Sequence, residues 1–382
     1  MYCLGTVFLG FDYMAHLLKF IKKNTVFCIA GVAAIITCFL VPPDIQYLEY
    51  FDFKTLVCLF ITLAVVCALR NIWFFTIIAR KLVRFSGNLR GLFLMLIFIT
   101  FLGSMLIAND MALITFLPLG YFALTVAKQE KYMAYLFVLQ NISANLGGML
   151  TPFGNPQNLY LYSYYNIPAF EFCKIMFLPF LLAVFLLVIS VFAVKPIKIS
   201  ITENFGEKLK IRKTVIYLLL FCITLLVVFR IVPILIGFAV VTAVIFIFDR
   251  EALLSVDYYL LGTFFFFFIF AGNLARIDEV NRFFSFLIQK DSFLVPVFSC
   301  QLISNVPTAI LLSHFTTNYK ALLLGVNIGG TGTLISSLAS LITFSEYGVL
   351  YPNKKKLYFG VFTLMNVVFL VIMSVAAKLF FV

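Results

Sequence analysis

The chain has 382 residues, of which 63% are hydrophobic and only 12% are charged, and its formal net charge is +12. A soluble globular chain carries roughly half apolar and a quarter charged residues, so this chain has too little polar surface to cover a water-soluble domain. The composition excludes a soluble enzyme, a disordered chain and a disulfide scaffold, and it predicts a polytopic membrane protein.

The basic residues follow the rule for membrane topology. Twenty of the 28 Lys and Arg lie in segments that a single topology puts on one side of the membrane. Positive charge concentrates on the cytoplasmic side of a membrane protein. We therefore expect a protein of the cytoplasmic membrane with its N-terminus and the loop over residues 195–213 in the cytoplasm and its C-terminus outside. No basic stretch alternates with aromatic residues as in a soluble binding module, so we expect no nucleic-acid partner.

The first segments read as helical spans followed by an interfacial helix. Apolar runs over residues 26–41 and 54–69 are each close to the length that crosses a bilayer. Residues 72–85 place apolar side chains on one helical face and basic side chains on the other. That pattern predicts an amphipathic helix lying in the membrane interface.

Two over-long apolar stretches follow, and polar residues interrupt both. Residues 91–127 are interrupted at 108–110 and have basic residues at both ends, which predicts a re-entrant helical hairpin. Residues 132–162 are interrupted by Asn145-Leu-Gly-Gly and Thr151-Pro-Phe-Gly-Asn-Pro, which predicts a broken transmembrane helix.

After a hydrophilic linker over residues 195–213, the same order of elements returns. The predictions are an interfacial helix over residues 273–289, a hairpin over 291–318 and a broken helix over 320–346. Residues 1–194 and 214–382 are therefore interpreted as two repeats. The predicted topology puts the second hairpin outside, opposite to the first.

An internal alignment supports the duplication. The segment Asn145-Leu-Gly-Gly-Met-Leu-Thr aligns without gaps on Asn327-Ile-Gly-Gly-Thr-Gly-Thr, and Asn109 at the first hairpin tip aligns on Asn305 at the second. Two inverted repeats with matching broken helices are typical of a secondary transporter. The predicted fold is an all-α polytopic membrane protein with one re-entrant hairpin and one broken helix in each repeat.

The polar interruptions could bind ions. Unwound backbone inside a bilayer is tolerated only where protein or a water-filled cavity satisfies it, and half-helix ends and freed carbonyls bind anions and cations respectively. Asp110 is the sharpest single residue, because intramembrane carboxylates usually serve ion or proton pathways. The alternative is that Asp110 only caps the helix that follows it.

These motifs resemble those of the ion transporter superfamily. Ser304-Asn305-Val306 resembles the Ser-Asn-Thr hairpin motif of the divalent anion–sodium symporters, and residues 145–158 are similar to the signature of the arsenite-permease and sodium–proton-antiporter group. The chain from about residue 26 to 381 resembles a citrate-transporter-like domain. Asp110 and Val306 stand where the symporters have Thr.

The resemblance implies a homodimer that works by elevator-type alternating access, with the substrate between the two hairpin tips. It implies that the residues that bind the substrate are Asn109, Asp110, Asn155, Ser304, Asn305, Ser336 and Ser337. It assigns the coupling cation to Asn109, Asp110, Asn145, Gly148, Thr151, Ser304, Asn305, Asn327, Gly330 and Thr333.

The sequence therefore predicts a secondary active transporter of a small anion, such as citrate or a dicarboxylate, in the lipid bilayer. Its coupling ion would be sodium or a proton, and no other cofactor is expected. The alternatives are a sodium–proton antiporter that uses Asp110, and a permease for arsenite or another inorganic oxyanion. No His-Glu-x-x-His motif or Walker motif occurs, so we do not expect an enzyme.

Overall fold

The computed structural model describes residues 20–21, 24–199 and 209–381. The described residues form α-helices joined by short loops and 3-10 turns, and they contain no β-strand. In chain order the helices are α1 (Thr25–Leu40), α2 (Phe53–Asn71), α3 (Phe74–Val83), α4 (Leu89–Ile107), α5 (Asn109–Val126), α6 (Met133–Gly147), α7 (Pro156–Tyr164), α8 (Ala169–Val191), α9 (Ile211–Val228), α10 (Ile234–Phe248), α11 (Arg250–Leu254), α12 (Tyr258–Ala275), α13 (Asp278–Lys290), α14 (Leu294–Ile303), α15 (Asn305–Ser313), α16 (Tyr319–Gly329), α17 (Leu338–Leu350) and α18 (Lys355–Phe380).

Seven of the described helical segments are long and apolar enough to cross a membrane. They comprise α2, α4, α5, α8, α9, α12 and the segment Pro352–Phe380 that contains α18. This agrees with the prediction of an all-α polytopic membrane protein. Exposed apolar side chains on these helices are expected, since a bilayer rather than water surrounds them.

The chain packs as two compact units. The first comprises Met1–Phe51 and Asp257–Arg282 and holds α1 and α12. In this unit Phe27 packs edge-on against Tyr259, with ring centroids 5.4 Å apart. Arg276 binds both carboxylate oxygens of Asp44, and the Arg276 guanidinium holds the pKa of Asp44 below its usual value.

The second unit comprises Asp52–Val256 and Phe283–Val382 and holds both hairpins and both broken helices. Its core is built around the two inner half-helices, since every residue of α6 except Tyr135 is buried and Ala321–Gly329 of α16 are buried as well. A helix that is enclosed on all sides normally lacks polar residues. Here α6 carries Gln140, Asn141, Ser143 and Asn145 into the core, so the polar groups need partners inside the protein.

Helices occur near the two positions predicted for interfacial helices, with different ends, and their place in the membrane interface stays a prediction. The first is α3, Phe74–Val83. The second, α13, begins at Asp278 rather than at Asn273, because α12 continues to Ala275. Asn273 stays in α12, where its amide donates to the Tyr47 hydroxyl at 2.9 Å and to Thr37 Oγ1 at 3.2 Å.

The two hairpins differ in the length of their arms. The arms of the first, α4 and α5, have 19 and 18 residues, and each is long enough by itself to cross a bilayer. The arms of the second, α14 and α15, have 10 and 9 residues. Re-entry of the first hairpin stays a prediction, as does the inverted orientation of the repeats.

Candidate functional site

Both hairpins turn at a single residue with a positive φ angle. Ala108 has φ 65° and ψ 154°, and Ser304 has φ 74° and ψ 160°. Side chains other than glycine rarely adopt this conformation, and it costs on the order of 1–3 kcal/mol. Two halves that align in sequence therefore share the same strained turn, immediately before Asn109 and Asn305.

The asparagine at each tip caps the arm that it begins. Oδ1 of Asn109 accepts a hydrogen bond from the backbone N–H of Asp110 at 3.0 Å, and Oδ1 of Asn305 accepts one from Val306 at 2.9 Å. Both asparagines are buried. Because each oxygen satisfies a free N–H group at a helix start, both tips are fixed by the same contact.

The first tip lies next to the first break, residues 148–155 between α6 and α7, where the chain forms a short 3-10 turn over Gly148–Leu150 and then leaves the helical conformation. Nδ2 of Asn109 donates to Oδ1 of Asn145, in the last turn of α6, at 3.2 Å. Nδ2 of Asn155 donates to the backbone carbonyl of Asn145 at 3.2 Å. The structure thus brings together Asn109, which the resemblance assigns to both substrate and cation, Asn145, which it assigns to the cation, and Asn155, which it assigns to the substrate.

One side chain from α7 holds the carbonyls that the first break sets free. Nδ2 of Asn158 donates to the carbonyl oxygens of Gly148 at 3.1 Å, Met149 at 3.3 Å and Thr151 at 3.4 Å. These bonds replace the helical donors that the break removes, as buried carbonyls require. Sequence reasoning did not single out Asn158.

An oxygen atom at the first break remains without a hydrogen-bond partner among the described residues. It is Oδ1 of Asn155, which is fully enclosed. A Cβ atom added to Gly148 would collide with this oxygen and would lie 2.7 Å from the carbonyl oxygen of Gly154. The glycine therefore lets two oxygens approach the backbone closely, and both are hard ligands of the kind that bind alkali cations.

The second break, residues 330–337 between α16 and α17, is held from the neighbouring hairpin. Nε2 of Gln301, on α14, donates to the carbonyls of Gly329 at 2.8 Å and Thr331 at 3.1 Å, while its Oε1 accepts from the Thr333 N–H at 2.9 Å. Gln301 was also missed by sequence reasoning. A polar side chain inside a predicted hairpin arm, one turn before the tip, is the signal that could have identified it.

The serines predicted at the second break have different roles. Ser336 Oγ donates to the carbonyl of Gly330 at 2.9 Å, and its own carbonyl accepts from the Asn305 N–H at 2.9 Å and from Ser304 Oγ at 3.4 Å. Ser337 instead caps α17, since its Oγ accepts from the Ser340 N–H at 3.2 Å. Ser304, Asn305, Ser336 and Gly330 thus lie together, and Ser337 faces the start of α17.

Matching threonines connect each break to its hairpin. Thr151 Oγ1 donates to the carbonyl of Met105 at 3.0 Å, and Thr333 Oγ1 donates to the carbonyl of Gln301 at 3.1 Å. Met105 and Gln301 each lie four residues before the asparagine of their tip. The two halves therefore repeat a side-chain contact as well as a sequence motif.

The two breaks are connected directly by asparagine side chains. Asn327, in α16, donates from Nδ2 to Oδ1 of Asn158 at 2.6 Å and accepts at Oδ1 from Nδ2 of Asn155 at 3.5 Å. A continuous series of buried carboxamides therefore runs from the first tip to the second broken helix. Such a network fixes the relative position of the breaks and supplies neutral oxygens in a protein interior.

Asp110 and Val306 occupy equivalent places after the two tips. Asp110 is half-buried, and one of its carboxylate oxygens is fully enclosed. Any charge chemistry at the tips is thus supplied by the first half of the chain.

Comparison with known proteins identifies the relatives of this chain. The model of the citrate transporter family matches residues 13–320. An uncharacterised transporter of Methanocaldococcus jannaschii is 33% identical over 87% of this chain and 91% of its own length. The inner membrane protein YbiR of Escherichia coli is 28% identical over 70% of this chain and 73% of its own length.

Proposed function

Since the chain belongs to the citrate transporter family of membrane transporters, we propose that it moves a small anion across the cytoplasmic membrane by secondary active transport. The substrate class is an organic carboxylate such as citrate or a dicarboxylate, and the coupling ion is sodium or a proton. The observation that carries this proposal is the buried carboxamide network that joins Asn109, Asn155 and Asn327 at the two breaks.

The first break supports a cation site. Oδ1 of Asn155 has no hydrogen-bond partner among the described residues, and the Gly154 carbonyl lies beside it over Gly148. A bound cation would provide the interaction that a buried oxygen otherwise lacks. Asp110, at the neighbouring tip, would add a negative charge to this site and make it sensitive to protons.

The anion would bind near the starts of the half-helices. α5 and α15 begin at the two tips, and α7 and α17 begin at the two breaks. Helix N-termini carry free N–H groups and partial positive charge, which favour carboxylates and oxyanions. Cation binding beside them would neutralise the charge of the substrate during transport, and elevator movement of a homodimer is the mechanism we propose for crossing the bilayer.

A second candidate function is sodium–proton antiport. The specific observation that favours it is the asymmetry of the tips, since a carboxylate follows Asn109 and an aliphatic side chain follows Asn305. In that function the two cations would alternate at Asp110 and no anion would move. An inorganic oxyanion permease would use the same helix ends as a carboxylate transporter.

The experiment that separates these functions is a ligand screen on purified and reconstituted protein. Thermal stabilisation and solid-supported-membrane currents are measured with citrate, succinate, phosphate and arsenite, each with and without sodium and at several pH values. We expect a carboxylate to stabilise the protein and to start transport in a sodium- or acid-dependent way. A response to sodium and protons with none to any anion would favour the antiporter.

A further inference from the structure

A cavity of about 630 Å³ lies beside α5, the second arm of the first hairpin, within the second packing unit. One wall is the apolar side of α5, with Ile114, Pro118 and Phe122. The other wall is formed where α2 ends and α3 begins, and it contains Arg70 and Arg80. The cavity is therefore amphiphilic, with guanidinium groups on one side and hydrocarbon on the other.

The backbone between α2 and α3 brings both arginines to this cavity. Trp73 has a φ angle of 60°, a left-handed conformation that a large side chain rarely adopts. This turn ends α2 directly after Arg70 and Asn71 and starts α3, which carries Arg80. Glu251 also lines the cavity but is exposed.

Arg70 is half-buried and points toward the hairpin tip. Its Nη1 atom lies 3.8 Å from Sδ of Met111, and Met111 directly follows Asp110. Among the described residues this thioether is its hydrogen-bonding contact, and no carboxylate lies within ion-pair distance of Arg70. A guanidinium has five N–H donors and a thioether is a weak acceptor, so most of this donor capacity is unused.

Other arginines of the same unit are used differently. Arg90 donates to the carbonyls of Val194 at 3.0 Å and Phe192 at 3.2 Å. Arg230 donates to the carbonyl of Tyr162 at 2.6 Å and covers the ring of the same residue. These two side chains cap helix ends, whereas Arg70 faces a cavity.

The cavity beside the second hairpin has a different chemistry. It has a volume of about 750 Å³ and lies between α13 and the end of α15. Its lining contains hydroxyl, amide and aromatic side chains with His314, and no Lys, Arg, Asp or Glu. Of these two cavities, the first is the one that offers an anion a permanent positive charge.

We propose that Arg70 binds an anionic group of the transported substrate in this cavity, beside the first hairpin tip, before the substrate reaches the tips. We call this cavity the waiting site. This inference rests on the proposed anion transport and adds a recognition residue that the hairpin motifs do not contain. The guanidinium fork matches a carboxylate or an oxyanion, and charge-assisted pairs of this kind are strong and directional. The apolar wall of α5 suits the carbon skeleton of an organic carboxylate.

The test compares Arg70→Gln, Arg70→Lys and the control Lys81→Gln, since Lys81 is exposed on α3 and does not line the cavity. Citrate, succinate and inorganic phosphate are titrated against each purified protein by thermal shift, and transport is measured in liposomes. We expect Arg70→Gln to raise the half-saturating citrate concentration and the KM about tenfold, with kcat within about twofold. Arg70→Lys should recover part of the loss because it keeps the charge without the fork, and Lys81→Gln should match the unaltered protein.

A second variant tests occupancy without changing Arg70. Thr76→Cys, in a background without the native cysteines, places a thiol in the wall of the cavity. Citrate should slow its reaction with a thiol reagent, and high ionic strength should reduce that protection because it screens the guanidinium. Unchanged labelling with bound citrate would overturn the proposal.

The remaining outcomes separate the waiting site from the proposed function. If the unaltered protein transports citrate and Arg70→Gln behaves identically, the waiting site is wrong and anion transport stands. If no anion stabilises the unaltered protein or is transported by it, both the waiting site and the proposed anion transport are wrong. If phosphatidylglycerol in mixed micelles stabilises the protein through Arg70 while soluble anions do not, the cavity holds a lipid headgroup and the proposal is overturned.

Discussion

At the scale of single residues, the two hairpin tips differ by one charge. Asp110 and Val306 both donate their backbone N–H to the tip asparagine, so the local geometry is the same. The carboxylate is therefore not required to form the tip. We propose that its presence in one half reflects a role in cation or proton binding, since a charged group inside a membrane protein is costly to keep.

We expect Asp110→Asn to fold and insert normally, and to transport with a weakened dependence on pH. The amide retains the size of the side chain and can still cap α5, while the titratable charge is removed. Transport across a pH series is the measurement. The control is Asp257→Asn, because Asp257 caps α12 through the Leu260 N–H at 3.0 Å and belongs to the first packing unit rather than to the unit that holds the tips.

An unchanged pH dependence of transport in Asp110→Asn would show that Asp110 acts only as a helix cap. The sodium–proton antiporter would then lose the observation that favours it.

Oδ1 of Asn155, which has no hydrogen-bond partner among the described residues, is a candidate cation ligand. We expect Asn155→Ala to lose most of the sodium- or acid-dependent thermal stabilisation, whereas Asn155→Asp should keep it, because aspartate retains an oxygen at the same position. Asn141→Ala is the matched control, since Asn141 is buried in the same unit and contacts Ser340 and Thr343 rather than the break. Equal loss in both alanine variants would show that the effect is structural.

At the scale of elements, the two breaks lie at aligned positions of the two halves and are held by different side chains. Asn158 holds the first break from the helix that follows it, and Gln301 holds the second from the adjacent hairpin. The residue that aligns with Gln301 is Met105, and the residue that aligns with Asn158 is Ser340. Each break is thus held by a carboxamide at a different aligned position.

We expect Gln301→Met, which gives the second hairpin the residue of the first, to lower the thermal unfolding midpoint. The carbonyls of Gly329 and Thr331 would lose their donor, and each buried group left unsatisfied costs about 1–3 kcal/mol. Met105→Gln is the control, because the first break already has Asn158. An unchanged thermal unfolding midpoint in Gln301→Met would mean that water, or a movement of the loop, satisfies these carbonyls in place of the amide.

The sequence predicts the breaks because their causes are local. Pro156 and the paired glycines at 147–148 and 329–330 mark where α6 and α16 end and α7 begins. The contact that holds the second break is not local, since Gln301 reaches Thr331 across 30 residues. The start of α13 was misplaced for a similar reason, because distant partners in the first unit keep Asn273 within α12.

At the scale of the whole molecule, packing and sequence divide the chain differently. The repeats predicted from the sequence divide it at the linker, whereas the first packing unit takes α1 from one half and α12 from the other. A sequence repeat is defined by the order of residues along the chain, whereas a packing unit is defined by which helices bury surface against one another. The two divisions of the chain therefore need not coincide. The division into repeats can be predicted from the sequence pattern. The division into packing units has no local sequence signal.

The predicted topology can be measured with single cysteines in a background without the native ones. Lys195→Cys should be protected from an impermeant thiol reagent added outside intact cells, and Thr317→Cys should react, since both side chains are exposed on the protein surface. The reason is the concentration of basic residues around the linker. Labelling of both positions from the same side would contradict the inverted arrangement.

Secondary active transport requires that a cation gradient drives an anion through this protein. Uptake of radiolabelled citrate, or of the carboxylate that stabilises the protein most, is measured in liposomes with no gradient, with an inward sodium gradient and with an inward proton gradient. We expect accumulation above equilibrium with at least one of the two gradients and simple equilibration without them. Uptake that stops at equilibrium under every gradient, or gradients that collapse with no carboxylate movement, would contradict the account.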